Sequence, residues 1–334
     1  MSDFPSALHD QVRAWVEETY GSAFESRNLE TLNGHAGLTF AFEVLGPDQI
    51  VIDALVLRLA PIGVRLKGPA DVLRQVVPLR LLHRADFPVP ELRFWGDDPK
   101  WFGTPYLISH REGGYAVGLE EGISPSREDF LEAARTLGRL HRSVNMAEIQ
   151  GWQAPRDWVQ EVNAWDTALD KVGDTKWRSH ATEVRERLLA ACSDAFNVGL
   201  CHGDYQFSNL LFDRGQVCAV LDWELAGVGP QLLDLGWFLT INDQSSWAHR
   251  VALDDRPTDA QIRHAYEEAF GSKVDDADVH FACAVAAYKF AIITGFNLYL
   301  HRTGRRIDAH WEHLEMSIPR LLSRSIERLV LMAE

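Results

Sequence analysis

Leu8, Val12, Trp15 and Val16 recur at helical spacing after Pro5 and predict an amphipathic helix over residues 5–20. The period then changes. LTFAFEV (Leu38–Val44) and IVIDALVLRLA (Ile50–Ala60) are short runs rich in β-branched and aromatic residues. Gly34, Gly37, Gly46-Pro47-Asp48 and Pro61 punctuate them, as in a small antiparallel sheet. Residues 70–84 read as a helix, with Pro78 placed to kink it or delay its start. The prolines of FPVPEL hold Phe87–Leu92 extended, and strands are expected at Glu91–Trp95 and Pro105–Ser109. Beyond Gly113-Gly114 the pattern turns helical. Ser126 with Asp129 approximates a capping box, and Phe130, Ala134, Leu137 and His141 share one face behind it. Further helices are expected near 156–172, 179–194, 258–270, 279–301 and 308–331. One β signal interrupts them: Asn209–Glu224 holds two apolar runs around Asp213-Arg214-Gly215-Gln216, a hairpin.

Composition adds bounds. At 334 residues, 46% hydrophobic and 24% charged, the chain can bury a sizeable core as two domains or one two-lobed unit. Acidic residues outnumber basic ones 48 to 33, for a net charge of −15, and so lack the basic footprint of a nucleic-acid binder. Cys192, Cys201, Cys218 and Cys283 form no C-x-x-C pair, so reduced and mostly buried thiols are expected, with no disulfide framework or zinc site. MSDFPSALHDQ has neither the basic nor the apolar region of a signal peptide. Phe281–Leu300 is apolar enough to consider as a membrane span, but Lys289 near its middle points to a buried core helix. The expectation is a cytoplasmic protein with neither a membrane nor a nucleic-acid partner.

The chemistry concentrates in CHGDYQFSNLLFDRGQVCAVLDWELAGVGPQLLDLGW. Phosphoryl transfer needs a carboxylate near the acceptor hydroxyl and oxygen ligands that hold Mg²⁺ against the phosphates. Asp204 and Asn209 have the spacing of a kinase catalytic loop, and Asp222 follows the hairpin where a kinase puts its metal-binding Asp. A hairpin that returns the chain would bring Asp222 beside Asn209 to share one cation. HGDYQFSN, LDWE and the later LLDLGW together resemble the aminoglycoside phosphotransferase and choline kinase family of small-molecule kinases, from about residue 30 to 240. The nearest likeness is to the kinase-like domains associated with acyl-CoA dehydrogenases.

That resemblance implies a protein-kinase-like, two-lobed α+β fold. A small antiparallel-sheet N-terminal lobe would occupy 1–110, and a larger, mainly helical C-terminal lobe 111–334. It implies Asp204 as the catalytic carboxylate, Asn209 and Asp222 as Mg²⁺ ligands, and ATP as phosphate donor, with GTP as the alternative. Asp234 would brace the catalytic loop, and His202 and His141 would be structural. TLNGHAGLTFAFEV is similar to the family's phosphate loop, where Gly34 and Gly37 let backbone N–H groups approach phosphate. Arg58 stands where kinases usually have Lys, and Gln75 replaces the acid that would pair with it. Guanidinium can still fork onto two phosphate oxygens. The hinge would be Tyr106–Arg111, with backbone near Ser109 and Arg111 meeting the base.

The acceptor would be a small hydroxylated molecule: an antibiotic, or a metabolic acyl, sugar or alcohol compound. Trp158, Trp165 and Trp177 crowd one region of the sequence, Trp237 and Trp247 another, as aromatic walls or as core. Eight acids fall within residues 251–280 against three bases, a patch for a polycation or, more simply, a solvated face. Glu224 is open between a second metal ligand and an ion-pair carboxylate. The rival class is a nucleotide-binding pseudokinase or scaffold without transfer activity. Oligomeric state is not legible.

Overall fold

The computed structural model describes residues 4–32, 38–63, 65–118, 122–172, 175–193, 196–248 and 255–333. The chain divides into two compact units. The first comprises Met1–Tyr115, Leu211–Asp213 and Cys218–Ala226. The second comprises Ala116–Leu210, Arg214–Val217 and Gly227–Glu334.

The chain order begins α1 (Phe4–Tyr20), β1 (Glu25–Thr31), β2 (Leu38–Leu45), β3 (Val51–Leu59), α2 (Val76–Arg84), β4 (Leu92–Gly96), α3 (Pro99–Phe102), β5 (Tyr106–His110) and β6 (Tyr115–Ala116). Strands β1 to β5 make one antiparallel sheet of order β1-β2-β3-β5-β4. Leu8, Val12, Trp15 and Val16 on α1 are buried against Phe40, Phe42, Leu55 and Leu57 of the sheet, so the heptad-like stripe finds an apolar surface. Trp15 meets Phe94 edge-on at 5.0 Å. Two short 3-10 segments, Gly68–Ala70 and Val72–Gln75, precede α2. The α-helix starts at Val76, so Pro78 falls in its first turn, where a missing N–H leaves no bond unmade.

The sequence continues α4 (Arg127–Ser143), α5 (Met146–Ile149), α6 (Trp158–Asn163), α7 (Asp166–Lys171), α8 (Thr175–Ala191), β7 (Val198–Cys201), β8 (Leu210–Asp213), β9 (Gln216–Val220) and β10 (Gly227–Pro230). It ends with α9 (Leu232–Ile241), α10 (Asp259–Phe270), α11 (Asp276–Arg302), α12 (His310–Leu314) and α13 (Ile318–Met332). Ser126 and Asp129 close the capping box that starts α4. The helix expected over 156–172 is two, α6 and α7, and Arg185 binds both sides of the break, through Asn163 at 2.6 Å and Asp166 at 2.6 and 2.7 Å. The last helix is also divided, since Pro319 lies in the first turn of α13. β8 and β9 form the expected hairpin, turning through Arg214 (φ 49°) and Gly215 (φ 77°), both left-handed as a two-residue hairpin turn requires.

Helix α11 is long and apolar enough to cross a bilayer, but most of it is buried inside the second unit, as its central lysine implied. Cys201 and Cys283 are buried, Cys192 and Cys218 half-buried, and no disulfide joins them.

Helices α9 and α11 meet unusually closely. A Cβ on Gly236 would stand 2.4 Å from the Ala282 carbonyl carbon and 2.8 Å from the Cys283 amide nitrogen. This contact seats Trp237 flat on Phe290, with ring centroids 3.7 Å apart. Gly236→Ala is expected to destabilise the protein by about 1–3 kcal/mol, the usual cost of overpacking, read as a lower urea midpoint at unchanged slope.

Candidate active site

In the second unit, β7 delivers the chain to His202-Gly203-Asp204, and Gly203 takes a left-handed φ of 85° to make the turn. Asp234, at the start of α9, sits beneath this turn and is 1% exposed. It accepts the His202 amide at 2.6 Å and the Gly203 amide at 2.9 Å. His141 of α4 contacts it through Nε2 at 3.3 Å, while His141 Nδ1 meets the Tyr266 hydroxyl at 2.9 Å. Burial alone would raise the Asp234 carboxyl's pKa. The hydrogen bond and charge of His141, the charge of His202 and the Gly203 amide outweigh that and hold it below the ordinary value. His202 is fully buried, and its Nδ1 accepts the Asp204 amide at 3.2 Å.

Asp204 points its carboxylate into a ring of N–H donors. Gln206 Nε2 donates to both oxygens, at 2.9 and 3.0 Å. Asn209 Nδ2 donates to Oδ2 at 3.1 Å and to the Asp204 backbone carbonyl at 2.9 Å. Trp237 Nε1 donates to Oδ1 at 3.1 Å. The carboxylate is therefore oriented rather than neutralised, and it remains part-buried. With its NH₂ end committed to the loop, Asn209 keeps its amide oxygen for a ligand.

In the first unit, Asp222 adopts φ 61°, ψ 65°, a left-handed conformation that Asp tolerates better than most residues, and starts the 3-10 turn Trp223–Leu225. Trp223 anchors this turn: it is 1% exposed and its Nε1 donates to the Val220 carbonyl at 2.9 Å. Arg74 clamps the other side, donating to the Glu224 carbonyl and, at 2.7 Å, to the Ala226 carbonyl. Arg58, on β3, reaches Asp222 Oδ1 at 3.0 Å and Glu224 Oε2 at 3.5 Å through the same nitrogen. Its Nη1 donates to Gln75 Oε1 at 3.4 Å, and Gln75 is 2% exposed. Glu224 thus pairs with Arg58.

Ser109 and Arg111 call for a correction. Ser109 lies within β5, paired with Val56 on one side and Leu92 on the other. The Arg111 amide donates to the Ala54 carbonyl at 2.8 Å, and its guanidinium meets Glu30 at 2.9 Å. Sheet pairing uses the Arg111 N–H that a base edge would need. Gly34 and Gly37 lie outside the described residues.

As to metal, Asp222 and Glu224 bring two hard carboxylate oxygens to one guanidinium nitrogen within the first unit. That donor set suits Mg²⁺ or Ca²⁺ rather than a soft metal. Among the described residues no group of three or more His, Cys, Asp or Glu gathers into a metal site.

Sequence reasoning missed Trp237 and Gln206 as partners of Asp204, and Arg74 as the clamp behind Asp222. The chain separates Trp237 from Asp204 by 33 residues and Arg74 from Glu224 by 150, and no local pattern spans such gaps.

Asp234→Asn keeps the shape but turns an NH₂ group toward one of the two amides. A loss of about 1–3 kcal/mol at pH 7 is expected. A folded-state pKa held below the unfolded one contributes stability that is present above about pH 4 and lost as pH falls through the folded value. The stability gap between wild type and Asp234→Asn, read by urea unfolding, should therefore narrow as pH drops below about 4.

A family model described as "Phosphotransferase enzyme family" matches residues 34–275. Acyl-CoA dehydrogenase family member 11 of Gallus gallus is 26% identical over 257 residues, covering 72% of this chain and 33% of that protein. The chain thus spans about a third of the length of such curated relatives. A crystal structure from Ralstonia eutropha, assigned as an aminoglycoside phosphotransferase, superposes with a TM-score of 0.76 at 18% identity, covering 96% of this chain and 98% of that one. Amicoumacin kinase, solved with AMP-PNP, Ca²⁺ and Ami, gives a TM-score of 0.63 at 13% identity over 98% and 96% of the two chains. The fold is accordingly kinase-like α+β, and with the family model covering most of its length the chain belongs to the phosphotransferase enzyme family.

Proposed function

We propose that the protein transfers the γ-phosphate of ATP to a hydroxyl group of a small molecule. The observation that carries this reading is Asp204, a part-buried carboxylate fixed by three side-chain N–H groups on a loop that Asp234 braces from below. Such a group is aimed before substrate arrives, so little reorganisation opposes the reaction. The acceptor oxygen attacks the γ-phosphorus, the bond to the ADP oxygen breaks, and the acceptor proton passes to Asp204. Arg58 fixes the phosphate chain by its guanidinium fork, exchanging contacts with Asp222 and Glu224 for phosphate oxygens. Asn209 and Asp222 are the proposed Mg²⁺ ligands, and the ion's contribution when bound is to offset charge on the phosphates. The Gly34–Gly37 loop would approach the phosphates through backbone amides.

A second reading, a pseudokinase that serves as a sensor or scaffold without transfer activity, draws on one observation: Arg58 is paired with Asp222 and Glu224, and its other neighbour, Gln75, carries no charge. A nucleotide must displace those ion pairs to gain the arginine.

Calorimetry of ATP and GTP with and without Mg²⁺ separates the two. The transferase reading expects Mg²⁺-dependent binding in the micromolar range, about −8 kcal/mol, and a marked loss in Asp222→Asn. Asparagine is the better probe than alanine, because it tolerates the left-handed backbone at this position. No binding of either nucleotide at millimolar concentration would make the pseudokinase reading the leading one.

Asp204→Asn should lower transfer by roughly 10²–10⁴-fold while leaving nucleotide binding largely intact. Transfer at the wild-type rate in that variant would remove Asp204 from the role of base.

A further inference from the structure

Arg58 lies on β3 in the middle of the sheet, opposite Thr39 of β2 and Leu107 of β5, so its backbone is fixed from both sides. Its side chain is not fixed by that pairing. A guanidinium on a long flexible stem gives up much rotamer freedom when it holds one pose, so a phosphate-binding arginine needs an anchor. Protein kinases supply an acid for the corresponding lysine from the helix that follows the strand. Here that place holds Gln75, the last residue of the 3-10 segment Val72–Gln75. Its Oε1 meets Arg58 Nη1 at 3.4 Å, a long contact without charge. The charge reaches the guanidinium's other nitrogen, where Nη2 meets Asp222 Oδ1 at 3.0 Å and Glu224 Oε2 at 3.5 Å.

The two acids are not equivalent. The Asp222 side chain is 33% exposed and that of Glu224 14%. Asp222 is the one open to an incoming cation, and a cation on it would draw it away from Arg58. Glu224 is the one enclosed with the arginine. Its backbone is gripped as well, since Arg74 donates to the Glu224 carbonyl and, at 2.7 Å, to the Ala226 carbonyl. Arg74 adjoins Gln75 in the same 3-10 segment, whose start is capped by Asp71 on the Leu73 amide at 3.1 Å. The segment after β3 thus acts on Arg58 at one remove. It presents no acid of its own and holds the turn that does.

We infer that Glu224 is the positioning residue for Arg58: the acid that aims the phosphate-binding base of this chain stands on the turn after β9 instead of the segment after β3. The inference rests on the phosphotransferase reading and deepens it, giving Glu224 an ion-pair role in place of a second metal ligand. Before ligand binds, Arg58 is shared between Asp222 and Glu224. When a cation takes Asp222, Glu224 keeps the guanidinium aimed. Five N–H donors in one plane let the arginine keep that bond and still turn a fork to phosphate oxygens.

The test moves the acid. Wild type, Glu224→Gln, Gln75→Glu and the double variant Gln75→Glu/Glu224→Gln are titrated by calorimetry with AMP-PNP at low and high Mg²⁺. Glu224→Gln keeps the shape and removes the charge, and should bind AMP-PNP about tenfold more weakly at both, the size of one charge-assisted hydrogen bond. The double variant should regain most of that loss, because position 75 reaches the same guanidinium through its other nitrogen. A Glu224 that merely supported its turn would not be rescued from there. Unchanged or tighter binding in Glu224→Gln overturns the inference, since the ion pair would then be idle or a competitor of the nucleotide. So does a double variant as weak as Glu224→Gln, or a Glu224→Gln that high Mg²⁺ restores, the mark of a metal ligand. Should Glu224→Gln fail to fold, Glu224→Asp, which withdraws the carboxylate by one methylene, takes its place and the same outcomes decide. Any of these results beside wild-type binding overturns the inference alone. Wild type that binds no nucleotide at millimolar concentration overturns the transferase reading, and the positioning role with it.

Discussion

A single buried carboxylate, Asp234, sets the direction of the loop that carries Asp204. Among the described residues no lysine or arginine pairs with it; its charge is met by two backbone amides and a histidine ring. An ionised acid in such a place is tolerable only when several donors converge on it, because each lost donor leaves buried charge uncompensated. The donors come from different elements: the turn after β7, and α4, whose His141 is itself held by Tyr266 of α10. Asp234 belongs to α9, and so does Trp237, one turn further on. The helix that braces the loop from below thus also supplies a donor to the Asp204 carboxylate. Placement of Asp204 is a property of how these helices pack, which is why the close approach of α9 and α11 at Gly236 bears on the chemistry.

The first unit meets the opposite problem with the opposite charge. Its Asp222 and Glu224 are held by Arg58, and the backbone behind them by Arg74. Guanidinium groups keep their charge and present several donors in a plane, so one residue can organise two carboxylates and another two carbonyls. Arg58 is thereby the shared counter-ion of Asp222 and Glu224.

The sequence made much of this visible, in proportion to how local the cause was. Amphipathic α1, the capping box of α4 and the Arg214-Gly215 turn each depend on a few adjacent residues, and each stands where the pattern put it. Asp204, Asn209 and Asp222 were marked by spacing within one short stretch. Strand β1 was missed because Glu25–Thr31 is a mostly exposed sheet edge that shows no apolar alternation. Helix α9 was missed for the opposite reason: it is buried along nearly its whole length, so no amphipathic period remains to detect. β10, Gly227–Pro230, shows no strand pattern of its own and becomes a strand only by pairing with β7. The indole on Asp204 depends on how α9 packs against the loop, and no one-dimensional pattern records that.

The left-handed backbone at Asp222 has a consequence for how such a protein can change over time. Two demands coincide at this position: a conformation that favours glycine or asparagine, and a negative charge for Arg58. Aspartate alone serves both. The replacements that relax the backbone are the ones that delete the charge, so the fold offers little resistance to losing that charge here. A lineage released from selection on this carboxylate could cross the position without passing through an unstable intermediate.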